Sequence, residues 1–134
     1  MKPEEEQLLL KDLCARLPYG VKVTFAGYSG EEVRTLNSQL LTSYAIEYRG
    51  LKPYLRPMSS MTEEEEQEYH SLCAMQFDEL ADANTTIYYF DTIESFDWLN
   101  EHHFDYRGLI PKGLALSTEE FNLYKRLNKK NETL

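Results

Sequence analysis

The stretch VKVTFAGYSG, residues 21–30, decides the fold class of this chain. Its apolar residues alternate with polar or small ones, which is the period-two pattern of a strand with one buried face. Two glycines then enclose a short turn, so we expect the chain to reverse in a hairpin. A return strand over residues 32–36 and a third strand over residues 40–49, where apolar residues alternate again, complete a predicted antiparallel β-meander.

Helical patterns lie on both sides of this meander. Residues 3–17 place leucines at three- and four-residue steps and begin with three glutamates, which is typical of an amphipathic helix aligned with its dipole. Capping boxes at Thr62 and Ser117 predict two later helices that run to about Met75 and Leu127. The predicted fold class is therefore α+β, a small antiparallel β-meander packed against several helices.

One more strand and one more helix are expected between these two capping boxes. Residues 86–90 form a β-prone run, and the helix that follows is expected to begin at Asp91. Residues 102–114 contain two glycines and a proline, which predict a structured turn. The residues expected on the buried face of that helix are Ile93, Phe96 and Leu99, with Trp98 at its flank.

The length of the chain suits one domain. A chain of 134 residues can build one hydrophobic core, and no composition shift divides it, so we expect a single α+β domain over residues 1–134. The tail, at about residues 128–134, is expected to fray. The cysteines, Cys14 and Cys73, fall on apolar helix faces and are predicted to be buried free thiols.

The charge of the chain restricts its partners and its location. The formal net charge of −9 repels phosphate backbones, so no duplex nucleic acid is expected as a partner. Residues 63–66 and Glu68 form an acidic run, which indicates a solvated helix start, with imitation of nucleic acid as the alternative. No apolar run approaches about 18 residues, and the N-terminus is acidic, so we expect a cytoplasmic protein with no membrane contact.

Two loops combine positive charge, hydroxyl groups and aromatic rings in this acidic chain. Such groups can hold a small phosphorylated or nucleotide ligand through charge-assisted hydrogen bonds and stacking. The alternative is that Arg56 and Arg107 pair with neighbouring carboxylates. The candidate ligand-binding residues are Lys52, Tyr54, Arg56, Ser59, Tyr106, Arg107 and Lys112.

A second candidate site is the cluster of His102, His103 and Asp105, with His70 elsewhere in the chain. Adjacent histidines diverge by about 100° on a helix, so both face one metal ion only if the backbone turns there. The chain lacks a His-Glu-x-x-His motif, a nucleophile elbow and a phosphate-loop glycine pattern. We therefore expect no catalytic residue, metal or cofactor, with a small metal-dependent hydrolase or nuclease as the alternative.

Ten tyrosines are a further feature of the composition. Tyr44, Tyr48, Tyr88 and Tyr89 fall on predicted strands, where they could form a broad amphipathic surface. Tyrosine is enriched where proteins meet their partners. This pattern predicts a homo-oligomer or an interface with a host protein.

Three stretches resemble short proteins of gut Bacteroidales genomes and their phages. They are LLLKDLCARLPYG at residues 8–20, KPYLRPMSSMT at residues 52–62 and DWLNEHHFDYRGLI at residues 97–110. The group has no established activity, so the resemblance transfers no catalytic or binding residue. The predicted lysine-rich C-terminal helix is longer than the corresponding helix expected for this group. The resemblance implies a context, which is a phage or mobile-element protein made in a bacterial host cell.

These observations lead to one expectation for the function and two alternatives. We expect a non-enzymatic phage or mobile-element accessory protein that acts by binding. One form of such a protein is a counter-defence factor that sequesters a small nucleotide signal or blocks a host protein. The alternatives are the hydrolase or nuclease above and a structural phage accessory that contacts only other proteins.

Overall fold

The structure is a computed structural model that describes residues 1–79 and 85–119. Four α-helices and six strands lie in these two ranges, and they confirm the predicted α+β class. In chain order the elements are α1 (Pro3–Arg16), β1 (Lys22–Gly27), β2 (Gly30–Thr35), α2 (Ser43–Tyr48), β3 (Lys52–Leu55), α3 (Glu63–Leu72), β4 (Ala74–Glu79), β5 (Thr85–Phe90), α4 (Ile93–Glu101) and β6 (Leu116–Ser117).

The hairpin predicted from residues 21–30 forms and lies at one side of a four-stranded sheet with the order β2-β1-β3-β6. Gly27 pairs with Gly30 at the tip of the hairpin. Gly30 has a φ of 123°, a value that residues with a side chain rarely adopt. β1 is antiparallel to β2 and β3, whereas β3 is parallel to β6, with Tyr54 opposite Leu116. The sheet is therefore mixed, with antiparallel pairing dominant.

The prediction of a strand over residues 40–49 is wrong, because this segment contains α2. The Thr42 side chain accepts a hydrogen bond of 3.1 Å from the Ala45 N–H and caps the helix. Ala45 and Ile46 are consecutive and both buried, which a strand with one buried face does not allow. The strand that joins the β1–β2 hairpin is instead β3, which lies a few residues later and pairs with β1.

Two hydrophobic clusters hold these elements together. α1 is confirmed as predicted and packs Leu9 and Leu13 against the sheet and α2. The second cluster contains Trp98, Leu99 and Phe104, with α3 against its edge. The other buried members of the first cluster are Val21, Val23, Phe25, Leu36, Ala45, Ile46, Leu51, Leu55, Leu109, Leu114 and Ala115.

The helix predicted from Thr62 begins there, with the expected capping box to Glu65, but it ends at Leu72 instead of Met75. The next residues form β4, in which Met75 and Phe77 alternate with polar residues. β4 pairs antiparallel with β5, which was predicted, and the pair forms a separate two-stranded sheet. Pairing with β5 thus determines the conformation of Ala74 and Met75, which the sequence pattern assigned to the helix.

The buried face of α4 differs from the prediction. Thr92 caps the helix and forms a capping box with Ser95, while Trp98 and Leu99 are buried. Ile93 and Phe96, which were expected inside, are exposed. The face is set by the packing of Trp98, whose ring stacks on those of Tyr69 and Phe104.

Several other predictions concern smaller features. Residues 102–114 form the expected structured turn. The predicted last helix and the frayed tail lie outside the described residues, apart from Ser117, which belongs to β6. Cys14 is exposed, so its predicted burial is wrong, and Cys73 is half-buried. Within the described ranges, no helix combines the length and the apolar character that a membrane crossing requires.

Candidate functional site

The two loops predicted to bind a ligand meet in the structure. The Arg56 N–H donates to the His103 carbonyl, and the Asp105 N–H donates to the Arg56 carbonyl, each at 2.8 Å. Arg56 and Phe104 therefore form a parallel bridge between two loops that lie almost 50 residues apart in the chain. This bridge brings the first group of candidate residues to the second.

The Arg56 side chain is held inside this junction. Its guanidinium donates two hydrogen bonds, of 2.7 and 2.8 Å, to the carboxylate of Glu65 at the start of α3. It also lies 4.1 Å from the centre of the Phe104 ring. The hydrogen bonds from Arg56 lower the pKa of Glu65 to about 2, although burial of the carboxylate acts in the opposite direction. Arg56 is thus neutralised by a bidentate ion pair.

Arg107 is also paired with a carboxylate, through a contact that the sequence analysis missed. Its Nη1 lies 3.0 Å from Asp12 Oδ1 on α1, and the other oxygen of Asp12 accepts from Arg16 Nε at 2.8 Å. Asp12 and Arg16 are fully buried, and Arg16 Nη2 donates to the Phe104 carbonyl at 2.6 Å. Two guanidiniums therefore share one buried carboxylate, which attaches the 104–107 loop to α1. Both predicted site arginines follow the alternative considered above, pairing with carboxylates.

The remaining candidate ligand-binding residues are spread between the interior and the surface. Tyr54 is buried, Lys52 is half-buried, and Ser59 and Lys112 are exposed. The Tyr106 hydroxyl donates to the Asn100 side chain at 2.9 Å, and its ring lies beneath the Arg107 guanidinium at 4.6 Å. These residues therefore do not form one open site with unpaired positive charge.

His102, His103 and Asp105 have three separate roles. His102 Nδ1 lies 2.9 Å from the Trp98 carbonyl at the end of α4, and the Asp105 carboxylate accepts from the N–H groups of Leu109 and Ile110 at 2.8 and 2.9 Å. Burial, together with the charge of Arg16, lowers the pKa of His103 to about 4. In residues 1–79 and 85–119, no three side chains of His, Cys, Asp or Glu are placed to hold a metal ion.

The β4–β5 hairpin carries a large exposed apolar surface, which we call the hairpin surface. Met75 lies opposite Tyr89 and Phe77 opposite Ile87 on one face, whereas Tyr88 and Phe90 belong to the other face. These six side chains are between 41% and 58% exposed. Exposed apolar patches of this size are typical of surfaces that contact another molecule, and an isolated two-stranded sheet is only marginally stable in water.

Contacts at its base join the hairpin to the rest of the chain. The Tyr89 ring stacks on His70 of α3, with ring centres 3.8 Å apart and planes 5° apart. The Thr92 hydroxyl donates to the Leu72 carbonyl at 2.6 Å. The Tyr69 hydroxyl donates to the Asp91 carboxylate, and burial together with this carboxylate raises the pKa of Tyr69. The base is therefore fixed, while about half of the area of the six side chains on the hairpin surface is exposed.

A second exposed cluster, which we call the tyrosine–arginine cluster, contains Tyr28, Tyr44, Tyr48 and Arg49. The Arg49 guanidinium lies 5.6 Å from the Tyr28 ring centre and 5.5 Å from that of Tyr44. Tyr44 and Tyr48 lie one helical turn apart on α2, with ring centres separated by 5.3 Å. None of the ion pairs within residues 1–79 and 85–119 involves Arg49.

Tyr44, Tyr48, Tyr88 and Tyr89 were all predicted to lie on strands. The structure separates them into two surfaces on different elements, because residues 43–48 are helical. The Ala26 N–H donates to the Arg49 carbonyl at 2.8 Å, which brings the β1–β2 hairpin beside the end of α2. The helical spacing of Tyr44 and Tyr48 was the available signal for this cluster.

Comparisons with known proteins identify no relative of this chain. No protein-family model matches it, and no match is found among curated proteins or among solved structures. Its candidate sites are therefore defined by the geometry of its own residues.

Proposed function

We propose that this chain is a non-enzymatic binding protein that acts by contact between its hairpin surface and another polypeptide. The observation that carries the proposal is the exposure of six large apolar side chains on a two-stranded sheet. Each strand has one strand neighbour within the described residues, so backbone pairing sites accompany the apolar side chains. These are the components of a protein interface.

The size of the surface favours a polypeptide partner over a small molecule. Large side chains of this kind bury roughly 200 Å² each, so six that are about half exposed present on the order of 600 Å². The largest apolar patch of an ordinary monomer covers about 300–600 Å² and is often functional. A standard interface uses about 800 Å² on each partner. The hairpin surface therefore supplies most of what such a contact needs.

The proposed setting follows from the resemblance to proteins of gut Bacteroidales and their phages. In a bacterial cytoplasm, a phage or mobile-element protein with this surface would block a host protein or join a phage assembly as a structural accessory. The geometry of His102, His103 and Asp105 gives no support to the hydrolase or nuclease alternative.

Copurification tests the proposed function. The tagged chain would be coexpressed with an untagged copy in host cells and compared with the double variant Phe77→Ser, Tyr88→Ser. Val33→Ser is the matched control, because Val33 on β2 is 43% exposed and lies outside both the hairpin surface and the tyrosine–arginine cluster. We expect one polypeptide, another protein or the untagged copy, to be retained stoichiometrically by the wild type and the control and lost from the double variant. Equal retention by all three proteins, or no retained polypeptide, would contradict the proposal.

A second candidate function is sequestration of a small nucleotide signal, which the tyrosine–arginine cluster favours. Arg49 lies between tyrosine rings and takes part in no ion pair of the described residues, so its charge is available to a phosphate. The exposed rings could stack on a base. Native mass spectrometry with cyclic and linear nucleotides tests this function. An unaltered adduct that weakens on Arg49→Gln supports it, and an empty protein argues against it.

A further inference from the structure

We infer that the polypeptide bound by the hairpin surface is a second copy of this chain, paired edge to edge through β5 around a twofold axis. This inference rests on the proposed function and names its partner. It concerns backbone pairing, whereas the function requires only that the hairpin surface be covered. The product would be a four-stranded antiparallel sheet with the order β4-β5-β5-β4.

The inference rests first on the edge of β5 that lies away from β4. Within residues 1–79 and 85–119, β5 pairs with β4 and with no other strand. Its sequence, TTIYYF, contains no proline, glycine or charged residue. Proteins usually protect an edge strand with a lysine, a proline, a bulge or a covering segment, because an open edge is a template for another strand. A six-residue uncharged run of high β-propensity is the type of sequence that pairs with itself.

The second argument is the difference between the two edges of the hairpin. The β4 sequence, AMQFDE, ends in two acidic residues, whereas β5 carries no charge. Each copy has a formal net charge of −9, so association through an acidic strand would add to a repulsion that already exists. Pairing through β5 brings an uncharged strand of each copy together. The edge that the second copy fits is therefore that of β5.

The third argument is the symmetry of antiparallel strands. A twofold axis perpendicular to the sheet keeps each face on its own side, and directly opposite residues share a face. Each face of the hairpin in one copy therefore continues into the same face of the hairpin in the second copy. The register with Tyr88 on the axis places Ile87 opposite Tyr89 and Thr86 opposite Phe90 of the second copy. All these pairs join aromatic or β-branched residues, which are favourable across strands.

The size of the contact is typical of a weak, transient dimer. Ile87, Tyr88, Tyr89 and Phe90 are each about half exposed, which amounts to roughly 400 Å² of side chain on each copy before the strand backbone is added. This area lies near the lower end of specific interfaces, which bury about 600 Å² on each partner. We therefore expect a dissociation constant on the order of micromolar, and the measurement has to cover that range.

Sedimentation velocity of the purified full chain, from about 1 to 200 μM, tests the inference. The wild type is expected to pass from monomer to dimer across this range. Tyr88→Lys places like charges opposite each other on the axis and should raise the dissociation constant by at least about tenfold. Gln76→Lys is the matched control, because Gln76 is exposed and lies opposite Tyr88 on β4 within the same hairpin. This control should dimerise like the wild type.

A measurement without any substitution accompanies the variants. Hydrogen exchange of the wild type is expected to show slower exchange of β5 amides at 200 μM than at 1 μM, with the amides of β1 unchanged. A loss of folding in Tyr88→Lys, detected by circular dichroism, leaves this measurement as the deciding one. Protection that depends on concentration supports the inference, and its absence from β5 overturns it.

The outcomes separate this inference from the proposed function. A wild type that stays monomeric to 200 μM overturns the inference, as does a dimer that Gln76→Lys weakens as much as Tyr88→Lys. In either case, a different polypeptide that copurifies with the wild type and is lost from the Phe77→Ser, Tyr88→Ser variant preserves the proposed function. A monomeric chain that copurifies with nothing overturns both.

Discussion

The ion pair between Arg56 and Glu65 allows a prediction of how stability depends on pH. We expect Glu65→Gln to destabilise the folded chain at pH 7 and to have a much smaller effect near pH 2. The glutamine keeps an oxygen that can accept from the Thr62 N–H, as Glu65 does at 3.0 Å, so the helix cap is preserved. The substitution therefore removes the charge on which the two hydrogen bonds from Arg56 depend.

The magnitude follows from the shift in pKa. The pKa of Glu65 falls from 4.5 to about 2, chiefly through the hydrogen bonds from Arg56, and at about 1.4 kcal/mol per pKa unit this shift corresponds to about 3.5 kcal/mol. Water still reaches 19% of the Glu65 side chain and 24% of that of Arg56, which screens the pair. We therefore expect a loss of about 1–2 kcal/mol in the free energy of unfolding.

The direction with pH follows from proton linkage. The folded chain holds Glu65 ionised at pH values where the unfolded chain has bound a proton, so the unfolded state binds more protons between pH 4.5 and about 2. The stabilisation is thus complete well above pH 4.5 and is lost as the pH falls through this interval. Protonation of Glu65 in the wild type then has the same effect as its replacement.

Urea denaturation of the wild type and of the variants at pH 7 and at low pH measures this effect. Glu64→Gln is the matched control, because Glu64 lies in the same first turn of α3, is exposed and has no ion pair within the described residues. We expect the control to change stability by less than about 0.5 kcal/mol. Equal losses for the two variants at pH 7, or a loss for Glu65→Gln that persists at pH 2, would refute the reasoning.

Three further predictions concern burial and backbone conformation. Leu99→Ala should lower the free energy of unfolding by about 2–5 kcal/mol, measured by urea denaturation, because Leu99 is fully buried in the second cluster. Gly20→Ala should cost about 1–2 kcal/mol in the same assay, since Gly20 has a φ of 69°, and a loss below 0.5 kcal/mol would contradict this reasoning. The low pKa of His103 means that the unfolded chain binds an extra proton between pH 6.5 and about 4, so the wild type should lose stability as the pH falls there. His103→Asn, which suits the φ of 64°, should lose less over this interval, and an identical pH profile would disprove the assignment.

The helices and strands that could be predicted are those whose local sequence pattern fits only one type of secondary structure. The β1–β2 hairpin combines alternation with a glycine turn, and α1 combines helical spacing with terminal charges. By contrast, α2 has six residues, a length at which period two and period 3.6 both fit. A capping box marks the start of α3 but carries no information about its end, which pairing between β4 and β5 determines.

The candidate sites show the same difference between local and distant contacts. Pairing of Arg56 with a carboxylate could be considered in advance because Glu65 lies nine residues away. The partner of Arg107 is Asp12, which is 95 residues away in the chain. No periodicity identifies such a contact, since it depends on the packing of α1 against the loop. The hairpin surface was likewise hidden, because β4 was not predicted as a strand and the predicted helix extended to its second residue, Met75.

The bridge between Arg56 and Phe104 has a consequence for how this architecture could diversify. The segment that carries α3, the hairpin and α4 begins after Arg56 and ends before Phe104, so the bridge brings the two ends of this segment together. Segments whose ends lie together can be exchanged, permuted or lengthened with little change to the scaffold that carries them. The segment that carries the proposed binding surface is thus organised as a cassette. A chimera that retained residues 1–56 and 104–119 could present a different hairpin while keeping the same four-stranded sheet.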